Sequence, residues 1–140
     1  MKRNARKLAR PVIAVLIAVL IAALLTACAA PAGGRTVKDG ETVGSGAVTF
    51  PLEITDKDGA PIHCTVKTDK ETVGAALIDL GIISGEQGPF GLYIKTVNGH
   101  TYDYDRDGCY WAFYIDDAYA PAGVDMTEIR AGESYALRVE

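Results

Sequence analysis

The sequence predicts an α+β fold, a β-grasp-like mixed sheet with one helix packed across it, and three observations carry that expectation. Two runs of alternating apolar and polar residues flank Asp58-Gly59, which is the pattern of a hairpin with one buried face. A single later segment, Val73 to Leu80, has helical spacing instead. From Leu92 to Val139 the chain returns to short strand-like runs broken by turn residues, so the order is hairpin, helix, hairpin-rich sheet and final strand.

Ahead of these elements stands a cationic start, Lys2, Arg3, Arg6, Lys7 and Arg10, followed by an apolar run from Val12 to Leu25. The run has 14 residues, fewer than the roughly 20 that cross the hydrocarbon as a helix, and it reads as a signal-peptide core. Leu25-Thr26-Ala27-Cys28 then resembles the bacterial lipoprotein signal. The resemblance implies a lipoprotein signal peptide over residues 1–27, lipidation of Cys28, and an extracytoplasmic protein. It would be lipid-anchored to the outer face of the bacterial cell membrane, since a diacylglyceryl Cys supplies the two acyl chains that stable anchoring needs. Residues 28–47, rich in Gly, Ala, Ser and charge, show no apolar period and are expected to be a flexible tether to a domain over residues 48–140.

Beyond residue 27 the chain holds nine basic against 18 acidic residues, a net charge of −9. That balance excludes nucleic acid, which needs a basic face, and leaves the lipid on Cys28 as the membrane contact.

Within the domain, Val48, Phe50, Leu52 and Ile54 alternate with Thr49, Glu53 and Thr55, and Ile62, Cys64 and Val66 alternate with His63, Thr65 and Lys67. Thr72 is placed to cap the helix, whose apolar stripe is Val73, Ala76, Leu77 and Leu80, with Gly81 available for a left-handed stop. Ile82 to Phe90 reads as a loop. Next come a strand from Leu92 to Val97, the turn pair Asn98-Gly99, a short segment from Thr101 to Tyr104, and the acidic turn Asp105 to Gly108. Cys109 to Ile115 is apolar on both faces, with Cys109, Trp111, Phe113 and Ile115 on one and Tyr110, Ala112 and Tyr114 on the other. Asp117 to Glu133 reads as a loop with a helical turn at Asp125 to Ile129, and Tyr135, Leu137 and Val139 form the last strand.

Cys64 and Cys109 fall in phase with core residues and are expected as buried free thiols. His63 points away from Cys64 across the strand, so no convergent zinc set forms, and no metal site is expected. Asp103, Asp105, Asp107 and Gly108 match the start of a calcium loop, but Tyr114 stands where the bidentate acid belongs. No nucleophile motif surrounds Ser45, Ser84 or Ser134, and the sequence suggests no catalytic residues and no enzyme.

The aromatic residues are the informative set: Tyr93, Tyr102, Tyr104, Tyr110, Trp111, Phe113, Tyr114 and Tyr119 crowd into one stretch. A single small core cannot bury them all, and tyrosine offers a flat contact with a polar tip. Phe90 to Gly99, Tyr110 to Tyr114, Gly123-Val124 and Ala131 to Glu133 together resemble the transcobalamin-like C-terminal domain of bacterial lipoproteins, a domain family of unknown function. That resemblance implies a surface-anchored, non-catalytic binding lipoprotein with no cofactor of its own, its ligand a corrinoid such as cobalamin or another flat small molecule. It places ligand contacts on Tyr93, Thr96, Asn98, Trp111, Tyr119 and Gly123, and Tyr114 joins them as an aromatic residue opposite the apolar face of its strand. A ligand so bound could be passed to a membrane transporter. The alternative expectation is a protein–protein interaction or adhesion module that meets a surface protein.

Overall fold

The computed structural model describes Gly34–Glu140. The expected signal segment 1–27, Cys28 and the start of the expected tether 28–47 lie outside the described residues.

Strands β1 (Thr42–Gly44), β2 (Val48–Thr55) and β3 (Ile62–Thr68) precede helix α1 (Val73–Asp79). After it come β4 (Ile83–Gly88), β5 (Gly91–Val97), β6 (His100–Thr101), the helical turn α2 (Tyr104–Asp107), β7 (Trp111–Ile115), β8 (Ala118–Tyr119), a 3-10 turn η1 (Val124–Met126) and β9 (Tyr135–Val139). A six-stranded mixed sheet runs β1-β3-β2-β9-β7-β8, and a smaller sheet runs β4-β5-β6. Without β1, the main sheet has the β-grasp arrangement: first and last strands parallel at the centre, one antiparallel hairpin on each side.

The alternating residues do what their period requires. Phe50, Leu52 and Ile54 of β2, Cys64 and Val66 of β3, and Tyr135 and Leu137 of β9 are buried on one face. Val48 shares their parity yet is exposed, because it lies at the strand's outer end. Val73, Ala76 and Leu77 press α1 into the same core. The helix starts where Thr72 Oγ1 accepts the Ala75 N–H at 3.2 Å, and the chain leaves it through Gly81 at φ +70°. Cys64 and Cys109 are free and buried, and burial pushes the Cys64 thiol up to about 11.

Four expectations are corrected. Val37 is only 3% exposed and β1 pairs in parallel with β3, so Val37 to Ala47 of the expected tether belongs to the folded body. Two buried valines at a sheet edge are too few to leave a period in the sequence. The expected loop 82–90 is mostly β4, antiparallel to β5, with a bulge at Ser84/Gly85. A Cβ on Gly85 would stand 2.1 Å from the Tyr93 carbonyl oxygen, so glycine is what lets these strands close. The acidic turn is the helical turn α2, capped by Asp103 and ended by Gly108 at φ +67°. Finally, the loop from Asp117 contains β8, entered through Asp116 and Asp117 at φ +48° and +64°, and its helical turn is η1, one residue earlier and shorter than expected.

On the outer face of the main sheet Arg138 donates to both Glu53 oxygens, at 2.8 and 3.2 Å, and to Asp117. The Arg138 hydrogen bond holds the Glu53 carboxyl below its usual value. A depressed carboxyl contributes stability that is fully present above its unfolded value, about 4.3, and is lost as pH falls through the folded value. Thermal melts of wild type are therefore expected to drop below about pH 4.5, and Glu53→Gln should flatten that drop. An unchanged acid limb in the variant would remove Glu53 from the account.

Candidate functional site: an aromatic cleft

Between strands β5 and β7, whose residues Ile94, Trp111 and Phe113 also belong to the core, lies a cleft of about 390 Å³. Trp111 and Phe113 of β7 and Leu92 and Ile94 of β5 form its apolar depth, and the segment Tyr119–Val124 forms a wall. Phe90, Tyr93, Tyr110 and Tyr119 complete the lining, and among the described residues no charged side chain lines it.

The walls are anchored. Trp111 Nε1 donates to the His100 carbonyl at 3.1 Å, and its ring tilts against Tyr102 at 5.7 Å. The Tyr102 hydroxyl donates to Asp56 Oδ1 at 2.5 Å, which pushes its phenol up to about 12. Phe113 stacks on Tyr135, which meets Phe50 edge-on at 5.2 Å, so the cleft's depth is continuous with the core. At the rim the Tyr93 hydroxyl accepts the Tyr104 N–H at 3.4 Å, and the Lys95 ammonium, ion-paired with Asp103, sits 4.4 Å from the Tyr93 ring centroid. Tyr110 and Tyr119 share a hydroxyl–hydroxyl bond of 3.4 Å, and Tyr110 also donates to Glu140 Oε2. That tyrosine pair and partial burial push the Tyr110 phenol up to about 12, so this hydroxyl remains protonated at neutral pH.

Asp125 on η1 ties the β4–β5 hairpin to the segment that follows β8. Its Oδ1 accepts the Leu92 N–H at 2.8 Å and its Oδ2 accepts from Gln87 Nε2 at 3.2 Å. Burial raises its pKa, but the Leu92 and Gln87 bonds together outweigh it and the net direction is down, so the carboxylate is charged. Three glycines make room for it. A Cβ on Gly91 or Gly123 would stand 2.7 or 2.9 Å from Asp125 Oδ1, and one on Gly74 would meet the Asp125 backbone nitrogen at 2.6 Å.

Of the residues expected at a ligand site, Tyr93, Trp111, Tyr119 and Gly123 line this cleft. Thr96, Asn98 and Tyr114 do not. Thr96 hydrogen-bonds Thr101 across the β5–β6 ladder at 2.8 Å. Asn98 is buried, its side chain accepting the Val37 N–H at 2.5 Å and donating to the Val37 carbonyl at 3.3 Å, while its backbone at φ +51° makes the hairpin turn. Tyr114 lies on the other face of β7, edge-on to Tyr119 at 5.5 Å, with the Arg138 guanidinium 4.9 Å from its ring centroid. Tyr110, already conspicuous in the aromatic stretch, belongs to the lining. Phe90 is a further addition: it is 87% exposed in a two-residue hairpin turn, and its only sequence signal is a large apolar residue after Gly88-Pro89. Nothing local in the sequence marks Asp125.

The calcium-like carboxylates are engaged otherwise. Asp103 accepts from Lys95 and from the Asp105 N–H, and Asp107 accepts from Arg106 and from the Asp103 N–H. Among the described residues no group of three or more His, Cys, Asp or Glu is arranged to hold a metal ion.

Comparison with known proteins places residues 70–138 in a match to a domain of unknown function, DUF4430. A crystal structure from Ruminococcus gnavus, provisionally described as a metal-binding protein, superposes with a TM-score of 0.62 at 22% identity, covering 67% of this chain and 97% of that one. It shares the fold. Haptocorrin in complex with Cbi aligns at a TM-score of 0.49 and 16% identity, over 66% of this chain and 25% of that one. No curated protein matches the sequence.

Proposed function

We propose that this protein is a non-catalytic binding module, held on the outer face of the cell membrane by lipid on Cys28, whose aromatic cleft takes a flat small molecule. The observation that carries the reading is the uncharged, aromatic-lined cleft of about 390 Å³, within the size and polarity range of small-ligand sites. Such a cleft fits one ring system or one face of a larger macrocycle, and a corrinoid is the first ligand to test because of the resemblance to the transcobalamin-like domain.

The test is incubation with cobalamin and with a library of planar compounds, read by retained colour after desalting and by the shift in melting temperature, since a ligand of the native state raises apparent stability. Tyr93→Ala is expected to abolish binding of whatever ligand emerges, at less than about 1 kcal/mol of stability. Tyr114→Ala, on the opposite face, should bind as wild type. Equal binding by both variants would sink the cleft as the site.

Anchoring has its own test. Cys28→Ala removes the acceptor thiol and leaves the apolar run intact, so the variant is expected to accumulate as uncleaved precursor without fatty-acid label. Label on the variant would overturn the lipid assignment.

A protein-facing role is the second reading, favoured by Phe90 and Met126, 87% and 64% exposed beside the cleft mouth. Under that reading Phe90→Ser abolishes capture of a surface protein while the compound library gives no shift.

A further inference from the structure

The cleft's electrostatics say more about its occupant than its shape does, given the reading of the cleft as a ligand site. Aromatic faces present negative charge density, and Tyr93, Tyr110, Trp111, Phe113 and Tyr119 all contribute to one lining that contains no cationic side chain. Nearby cations are matched by acids: Lys95 by Asp103, Arg106 by Asp107, and Arg138 by Glu53 and Asp117. Two carboxylates border the cleft, Asp125 beside Gly91 and Gly123, and Glu140 at the Tyr110 hydroxyl. The described body has nine basic residues against 18 acidic ones, so the wider field has the same sign. The chain itself supplies a precedent in the Lys95 ammonium 4.4 Å from the Tyr93 ring centroid.

We propose that the cleft selects a planar ligand carrying positive charge, with the aromatic faces supplying cation–π contact and Asp125 and Glu140 the surrounding negative field. An anion of the same shape meets no donor cation and a repulsive field. A neutral ring binds through stacking alone.

The experiment compares two rings of one shape and opposite charge, N-methylacridinium and acridine-9-carboxylate, added to the full chain in a neutral detergent. Quenching of Trp111, the one tryptophan of the chain, reports occupancy. At low ionic strength the cation is expected to bind at least about tenfold more tightly than the anion, with the ratio narrowing as salt screens the field. Glu140→Gln should lower the ratio severalfold while leaving the melting temperature unchanged. Equal affinities, or tighter binding of the anion, would overturn the charge preference and leave the cleft as a site for planar ligands. Failure of both rings to quench at millimolar concentration would overturn the ligand-site reading itself.

Discussion

Trp111→Ala is expected to destabilise the protein by about 3–5 kcal/mol, the range for emptying a buried aromatic site. Trp111 is 4% exposed, packs against Tyr102, and donates to the His100 carbonyl. Its removal leaves a void between the β7 face and β6 and takes the donor from that carbonyl, so the transfer, cavity and hydrogen-bond losses have the same sign. Chemical denaturation of wild type and variant gives the value directly, and a loss below about 1 kcal/mol would mean that the site collapses without cost. Because Trp111 also lines the cleft, its binding phenotype is uninterpretable unless the variant is shown to be folded. Tyr93 is the cleaner probe of function.

Gly74→Ala should destabilise by about 1–3 kcal/mol, although intrinsic propensity favours Ala over Gly within a helix by about 1 kcal/mol. The sign is decided by what surrounds the position. A Cβ there would lie 2.6 Å from the Asp125 nitrogen and 2.7 Å from its Cα, and both are backbone atoms of η1. Relief requires α1 and η1 to separate, which shifts the Asp125 carboxylate from Leu92 and Gln87 and moves one wall of the cleft. Loss of ligand or probe affinity should accompany the loss of stability. A variant as stable as wild type would show that the α1–η1 contact yields easily.

The periodicities are legible because they reside in contiguous residues. Phe50, Leu52 and Ile54 declare a buried strand face by alternation, Val73, Ala76 and Leu77 declare a helix stripe, and Asn98-Gly99 can do little else than turn. Strands β2, β3, β5, β7 and β9, the capped helix and the aromatic concentration were therefore legible in the sequence. Residues such as Asn98 were legible as turn formers but not as clamps, since the Val37 backbone that engages Asn98 lies 61 positions away.

What the sequence by itself determined is the α+β class, the order of its main elements and the capped helix; of the seven residues expected at a ligand site, four, Tyr93, Trp111, Tyr119 and Gly123, line the cleft. The tertiary structure alone decided that β1 and β4 are strands, that Tyr114 faces away from the cleft, and that Asp125 joins its walls. The physical reason is the range of the forces. A strand with a greasy face or a capped helix is specified by side chains a few positions apart, whereas β4 (Ile-Ser-Gly-Glu-Gln-Gly) has little apolar alternation and forms because β5 offers it a ladder. The same holds for the cleft, whose two sides meet only when β5 and the segment around η1 are brought together by a carboxylate 33 residues from the amide it binds.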